Sequence, residues 1–340
     1  MSRRYSASLT GAAAIAVVAM GLAACSSSGG GSNSKSSSSG SGSSAKGKTV
    51  QLIVGNASDP FYVTMECGAQ QEATKLGVKL TSNGPSSFSV PAQKPLIDNV
   101  QVSKPDALLV APTDVSKLDP DLQKIQTNGT KIVFVDTSSS NMSIGLSRIS
   151  SNNNAGGALA AKNLGQLLGG KGTVAVISMA KGTSTTDARV AGFQQEMKSA
   201  YPNIKLLPEQ EDTDATTTQA TSFIEADVTS HPTLSGVFTA NTVTAQGVAA
   251  GLQHASKTGK VKMVTFDAEP AEVTMLKNNV AQLIIAQEPA IEGQDGVIQA
   301  VNALTGKKVT ASIPTPLIAI SKANMSANAQ YIYKASTSGC

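Results

Sequence analysis

The chain has 340 residues, a formal net charge of +4, 40% hydrophobic residues and 4% aromatic ones. Arg3 and Arg4 supply two of those positive charges, and no basic run follows the first 50 residues, which argues against nucleic acid as a partner. Three cysteines with no C-x-x-C pair, and two isolated histidines, exclude the usual metal-ligand spacings.

Arg3 and Arg4 precede an apolar segment, Ala12 to Leu22, of signal-peptide length and too short to span a bilayer. It ends in Leu22, Ala23, Ala24 and Cys25, which resembles a bacterial lipobox. In that pattern Cys25 takes a thioether-linked diacylglycerol, whose two chains suffice for stable anchoring. Residues 1–24 are therefore expected to be a signal peptide. Residues 25–48, almost all Ser, Gly, Asn and Lys, form a flexible tether behind the lipid. About 290 residues remain, more than one core usually organises, so two lobes are expected.

Leu52 to Val54 is an apolar run of strand length. Gly55 to Ser58 reads as a turn, Asp59 as a helix N-cap and Pro60 as the first helical residue. Phe61, Met65, Ala69, Ala73 and Leu76 form the inner stripe of that helix, and Gly77 closes it. Asp59, Phe61 and Tyr62 thus sit where a strand's carboxyl end meets a helix, the edge that faces a ligand crevice in open α/β sheets. An acid beside two ring faces suits a small polyhydroxylated ligand. A capping Asp with two core aromatics explains the same residues.

Val78 to Leu80, Ala107 to Val110 and Ile132 to Val135 continue as strands, with helices at Pro91 to Val102 and Leu118 to Gln126. Ile149 to Ser151 leads through Asn152, Asn153 and Asn154 into a Gly/Ala helix ending near Leu168, and the first crossing between lobes is placed there. The rhythm restarts: strands at Val174–Ile177, Ile204–Leu207, Leu234–Phe238, Val261–Phe266 and Leu283–Ala286. Helices fall at Thr185–Ala200, Thr216–Thr229, Val243–Ala255, Pro270–Lys277 and Ala290–Leu304. Ile313 to Pro316 breaks the pattern before Leu317–Ile320, a last crossing, and the tail to Cys340 is polar apart from Tyr331 and Tyr333. Alternating strands and helices imply parallel sheets covered on both faces.

Gly165 to Lys171 imitates a phosphate-binding loop, but Gly172 stands where a Ser or Thr must hold magnesium, and the run follows a helix instead of a strand. It reads as a helix end and turn. His231 and His254 fall near helix ends, and no nucleophile elbow is present. The chain is expected not to be an enzyme. Cys67 and Cys340 are an even remainder in an exported chain, where pairing is chemically open.

Polar or aromatic residues recur at strand ends in both halves: Asp136; Ser151 and Asn152; Arg189 within Gly182 to Phe193; Asn241; Phe266 and Asp267; Gln287. In this order and spacing the series resembles the ribose-type sugar-binding proteins of bacterial ABC importers, from about Val50 to Ile320. Asp59 to Tyr62 is similar to that family's opening D/N-P-F-F/Y, Ile149 to Asn153 to its crossover, and Gly182 to Phe193 to its G-T-S…R-x-x-G-F. Phe238 to Asn241, Thr265 to Asp267 and Ala286 to Pro289 are similar to its F-x-x-N, G-F-D and A-Q-x-P elements.

The resemblance implies an α/β fold of two doubly wound parallel-sheet lobes joined by a three-crossing hinge, of the type I periplasmic-binding-protein kind. Lobe 1 is expected over 49–151 and 288–316, and lobe 2 over 152–287 and 317–340. Phe61, Tyr62 and Phe266 would sandwich a sugar ring, and Arg189 and Asp136 would grip hydroxyls. Asp59, Ser151, Asn241, Asp267 and Gln287 would complete the hydrogen bonds or brace the hinge. Arg189→Ala is expected to weaken binding and to leave the free fold almost unchanged.

The chain departs from the ribose pattern at Thr137 (for Arg), Thr242 (for Asp) and Asp59 (for Asn), which leaves ribose open against another sugar, a polyol or a furanone-like signal. Lactose-type repressors share the two-lobed core but begin with a basic helix-turn-helix. The expected partners are a small sugar-like ligand, ABC permease subunits and the outer face of the cell membrane through the lipid. The protein would act as a monomer, without cofactor or metal. The alternative is a sensor of the same fold that presents its solute to a membrane receptor.

Overall fold

The computed structural model describes residues 44–340 apart from residue 214. The expected leader, Cys25 and the expected tether up to residue 43 lie outside the described residues, whereas residues 45–48, assigned to the tether from composition, pack on the first lobe: Ala45 is buried, the Gly47 N–H donates to the Gly77 carbonyl and Lys48 Nζ stands 2.9 Å from Asp106 Oδ1. Among the described residues no helix is long and apolar enough to cross a membrane.

The first sheet contains β1 (Thr49–Ile53), β2 (Lys79–Asn83), β3 (Ala107–Val110), β4 (Lys131–Val135), β5 (Ser147–Ser151) and β12 (Ser312–Thr315). Its order is β12-β5-β4-β3-β1-β2, and every pairing is parallel. The second sheet contains β6 (Gly172–Met179), β7 (Ile204–Leu206), β8 (Gln210–Asp212), β9 (Leu234–Thr239), β10 (Lys262–Phe266), β11 (Leu283–Ala286) and β13 (Ile318–Ile320). Its order is β13-β11-β10-β9-β6-β7, with β8 also on β6, and only the β13–β11 pairing is antiparallel. The order reverses at β1 in one sheet and at β6 in the other, so each lobe has its topological switch point at its first strand.

Among the described residues nine α-helices cover the sheets: α1 (Pro60–Leu76), α2 (Val90–Ser103), α3 (Asp119–Thr127), α4 (Asn153–Leu167), α5 (Ser184–Ala200), α6 (Thr217–Ser230), α7 (Thr242–His254), α8 (Pro270–Lys277) and α9 (Pro289–Leu304). The start of α1 is locally determined. Asp59 Oδ1 accepts the Phe61 N–H at 2.8 Å, Pro60 opens the helix, and Gly77 ends it in the left-handed region at φ 71°. Helix α9 packs on α1 and on β3, β4 and β5, whereas α4 packs on α5, β10 and β11. The chain therefore passes between sheets after β5, after β11 and between β12 and β13.

Helices α4 and α5 approach closely enough to demand glycine on each. A Cβ on Gly157 of α4 would strike the Arg189 carbonyl of α5, and one on Gly192 would strike the Asn154 carbonyl. That contact fixes the depth at which Arg189 enters the space between the lobes. Beneath it the rings of Phe193 and Phe238 stack at 4.2 Å, with Phe266 edge-on to Phe238 at 6.2 Å.

Two strands differ from the sequence expectation. β12 includes Pro314, which punctuates the pattern. It lies at a sheet edge, where a missing N–H is tolerated, and it pairs with β5. β8 is three polar residues paired only with β6. The tail after β13 lies against both lobes. The Tyr333 N–H donates to the Ala268 carbonyl, the Lys334 N–H donates to Thr64 Oγ1 on α1, and Cys340 forms a disulfide with Cys67 of α1, their Cα atoms 5.1 Å apart.

Candidate functional site

Carboxyl ends of strands from both sheets converge on a cavity of about 380 Å³ between the lobes. That is within the usual range for a small-molecule site. The first sheet contributes Asp59, Phe61 and Tyr62 after β1, Phe88 after β2 and Asp136 after β4; the second contributes Thr185, Thr186 and Arg189 after β6, Asn241 after β9, Asp267 after β10 and Gln287 after β11.

Asp136 and Asp267 occupy equivalent places in the two lobes, and both are left-handed, at φ 60° and 79°. A non-glycine residue in that region costs of order 1 kcal/mol or more. Each is held there by its N–H, which donates to the next strand: Asp136 to the Ile149 carbonyl at 2.8 Å, and Asp267 to the Ile285 carbonyl at 2.9 Å. The sharp turn aims both carboxylates into the cavity.

Arg189 is 3% exposed. Its Nε donates to Asn153 Oδ1 at 2.8 Å and its Nη1 to the Ala240 carbonyl at 2.9 Å. Nη1 stands 3.8 Å from Asp267 Oδ2, and the guanidinium carbon lies 4.2 Å from the centre of the Phe266 ring. The fork is thus clamped by neutral acceptors and an aromatic face, with its charge facing two aspartates. Tyr62 donates its hydroxyl to Asp136 Oδ2 at 2.7 Å. Gln287 Nε2 donates to Asp267 Oδ1 at 2.6 Å, which settles the amide orientation, because a carboxylate needs a donor there. Gln287 Oε1 is buried and has no hydrogen-bond partner among the described residues.

Of the residues singled out in the sequence, Asp59, Phe61, Tyr62, Asp136, Arg189, Asn241, Asp267 and Gln287 line this cavity. Both sequence readings of Asp59 apply, since it caps α1 and lines the cavity. Asn241 likewise caps α7, its Oδ1 accepting from the Thr244 N–H and hydroxyl. Ser151 and Phe266 lie elsewhere. Ser151 donates to Glu292 Oε1 at 2.9 Å and meets Thr315 Oγ1 at 3.1 Å, which ties β5, β12 and α9 together beside two of the crossings. Phe266 is wholly buried under Arg189 instead of against the cavity, so it supports the cation and does not cover a ring. Phe88, Thr185 and Thr186 were not singled out, although the strand-end rule points to their loops. Asn153, Glu292 and Tyr333 act one layer back; Asn153 ends the crossover pattern, whereas no short pattern marks Glu292 or Tyr333.

Thr137, which stands where the ribose pattern has a second Arg, turns its hydroxyl to the Pro112 carbonyl at 2.8 Å and does not line the cavity. One guanidinium therefore shares the cavity lining with three aspartates, Asp59, Asp136 and Asp267. Burial pushes Asp136 up to about 7, despite the Tyr62 hydroxyl, and burial followed by the Asp267 charge pushes Asp59 up to about 6. Behind them burial raises Glu292 to about 8, with the Asp136 charge adding to it, and Glu269 to about 10, with the Asp59 charge adding to it. Among the described residues no group of three or more acids, histidines or cysteines is arranged to hold a metal ion.

The lobes are also joined beside the cavity, next to the lining residues Thr183 and Thr185. The Val115 N–H donates to the Gly182 carbonyl at 3.0 Å, and the Ser138 N–H donates to Ser184 Oγ at 3.1 Å. Both bonds join the first lobe to the second, so the cleft is closed. Carboxylate acceptors, one planar cation and the faces of Phe61 and Tyr62 in a closed cleft can bind a small polyhydroxylated molecule, accepting from its hydroxyls and covering its C–H face.

Comparison with known proteins bears on this geometry. Residues 50–308 match the periplasmic binding protein domain family. A ribose import binding protein of Haemophilus influenzae is 30% identical over 81% of this chain and 91% of its own length. An ABC transporter solute-binding protein of Agrobacterium vitis, solved with bound alpha-D-tagatopyranose, is 37% identical, covers 84% of this chain and 99% of its own, and superposes with a TM-score of 0.82. A carbohydrate transporter solute-binding protein of Agrobacterium radiobacter in complex with D-arabinose is 25% identical, covers 85% and 99%, and superposes at 0.78.

Proposed function

The chain belongs to the periplasmic binding protein domain family, and from that premise we propose that it is the extracytoplasmic solute-binding lipoprotein of an ABC importer, closing its lobes on a monosaccharide and delivering it to a membrane permease. The observation that carries this reading is the closed cavity itself. Carboxylates from both lobes, Arg189 and the Phe61 and Tyr62 faces converge there on a space of monosaccharide size. The single guanidinium, with Thr137 turned away, favours a pyranose other than ribose, in keeping with the tagatopyranose held by the Agrobacterium vitis protein.

Closure follows from differential affinity. A ligand that touches both lobes binds the closed state more tightly than the open one and shifts the population toward it. The hinge runs through the three passages near residues 152, 287 and 316, with Ser151, Glu292 and Thr315 bracing it. Cys25 carries the lipid, the Ser/Gly-rich segment after it is the tether and ends before Ala45, which is buried against the first lobe, and the protein acts as a monomer at the outer face of the membrane.

A thermal-shift screen of the purified chain against D-tagatose, D-ribose, D-arabinose, D-allose and polyols tests the ligand reading. A sugar present at a hundred times its dissociation constant stabilises by about 2.7 kcal/mol. The absence of any shift across the panel would reject sugar capture. Membrane fractionation of Cys25→Ala tests the anchor, since a variant that stays with the membrane removes it.

A further inference from the structure

The covalent chain crosses between the lobes three times, and the tail adds a fourth link through side chains. From β13 on the second lobe it runs to Tyr333, then to Lys334, whose N–H donates to Thr64 Oγ1 on α1 at 2.7 Å. It ends at the disulfide between Cys340 and Cys67, also on α1. Nearly all of this tail is exposed or half-exposed. Tyr333 is the exception at 4% exposed.

Tyr333 sits behind the binding site and touches three of its lining residues. Its Oη accepts the Gln287 N–H at 2.9 Å and faces Asp267 Oδ1 at 3.3 Å as a donor. Its ring meets Phe61 edge to face with centroids 5.7 Å apart. Its backbone N–H donates to the carbonyl of Ala268, the residue after the left-handed Asp267. Gln287 and Asp267 belong to the second lobe and Phe61 to the first, so one side chain from the tail bears on both walls of the cavity.

We propose that Tyr333 is a positioning residue for ligand capture, and that the tail is a strap, tied to the first lobe by the Cys67–Cys340 disulfide, that keeps it seated. The inference rests on the sugar-binding reading above. Gln287 lines the cavity, and its setting there is fixed by a backbone N–H anchored on the Tyr333 hydroxyl and a side-chain Nε2 anchored on Asp267. Without the hydroxyl, the Gln287 N–H is buried with no acceptor and Asp267 Oδ1 loses one donor. Both groups then relax away from the geometry in which they meet a ligand. Without the disulfide, the strap beyond Lys334 keeps few contacts on α1, and Tyr333 leaves its seat more often.

The test compares Tyr333→Phe and Cys340→Ser with the wild-type chain by calorimetry at 25 °C with D-tagatose and the other sugars of the panel, and by hydrogen exchange of the free proteins. Tyr333→Phe keeps the ring packing and removes only the hydroxyl. It should weaken binding about three- to tenfold, and Cys340→Ser should weaken it in the same direction. A residue that served the fold alone would lower the unfolding midpoint and leave the dissociation constant unchanged, because the protein is folded at 25 °C. Faster exchange at the Gln287 amide is expected in both variants. An unaltered dissociation constant in Tyr333→Phe overturns the positioning role, and one in Cys340→Ser overturns the strap. If the wild-type chain binds no sugar, the sugar reading fails on its own and exchange decides: faster Gln287 exchange in both variants upholds the seating, and unchanged exchange overturns it.

Discussion

Arg189→Ala removes a cation that serves the fold and the site together. Its Nε and Nη1 hydrogen bonds go to Asn153 Oδ1 and the Ala240 carbonyl, both buried, and each acceptor left without its donor costs about 1–3 kcal/mol. The face of Phe266 loses a desolvated cation at 4.2 Å, worth up to about 2 kcal/mol. The variant should therefore lose about 3–5 kcal/mol of stability without any ligand, in contrast to the small effect expected for an Arg read from sequence as a ligand group alone. On top of this, each charge-assisted hydrogen bond to a sugar hydroxyl contributes about 1.5–3 kcal/mol, so affinity should fall roughly tenfold to a hundredfold or more. Urea unfolding of the free protein measures the first quantity and calorimetry at a temperature where the variant remains folded measures the second. An unchanged urea midpoint would refute the buried network. A shifted midpoint with an unchanged dissociation constant would make Arg189 structural only.

Ser184→Ala deletes the hydroxyl that accepts the Ser138 N–H across the cleft; affinity should drop about three- to tenfold with little change in the unfolding of the free protein, and equal affinities would show that this bond does not favour closure. Gly55→Ala would drive a Cβ into the Phe88 ring and the Tyr62 hydroxyl, so the Tyr62–Asp136 bond should break and sugar binding weaken by tenfold or more on calorimetry; retained affinity would show that the loop yields without moving Tyr62. Glu292 is raised by burial from 4.5 to about 8, so the folded state holds its proton more tightly than the unfolded chain does. Its contribution is full below about pH 4.5 and is lost as pH rises through about 8, a change of a few kcal/mol at about 1.36 per pH unit. Urea midpoints of the wild type should therefore fall between pH 5 and 9, and Glu292→Gln, which can still accept from Ser151 and Thr315, should flatten that fall; parallel slopes would assign it to other groups.

What the sequence discloses follows from where the determining physics is local. Strands buried on both faces, such as Ala107–Val110 and Leu283–Ala286, read as unbroken apolar runs because nothing polar can sit on either side. The helix after β1 declares itself through Asp59, Pro60 and Gly77, each acting within a turn of its own position. β8 and β12 stay hidden. One is three polar residues, and the other carries Pro314 on a sheet edge, so neither needs the composition that marks a central strand.

The same divide runs through the site. Strand ends face the crevice whatever their residues, so Asp136, Asp267 and Gln287 could be chosen by position, and eight of the ten chosen residues line the cavity. Phe266 shows the limit of that rule. It is the last residue of β10 and points into the core under Arg189, while the left-handed turn at Asp267 swings the next side chain into the cavity. Tyr333 lies beyond the rule altogether: it is 66 residues from Asp267, in a tail with no periodicity, and its place is fixed by a hydroxyl bonded to the Gln287 N–H and by a disulfide closing a separation of 273 residues. Contacts of that kind arise only once both lobes and the crossings exist. A polar tail on a two-lobed binding protein therefore has to be judged by what its one buried side chain touches.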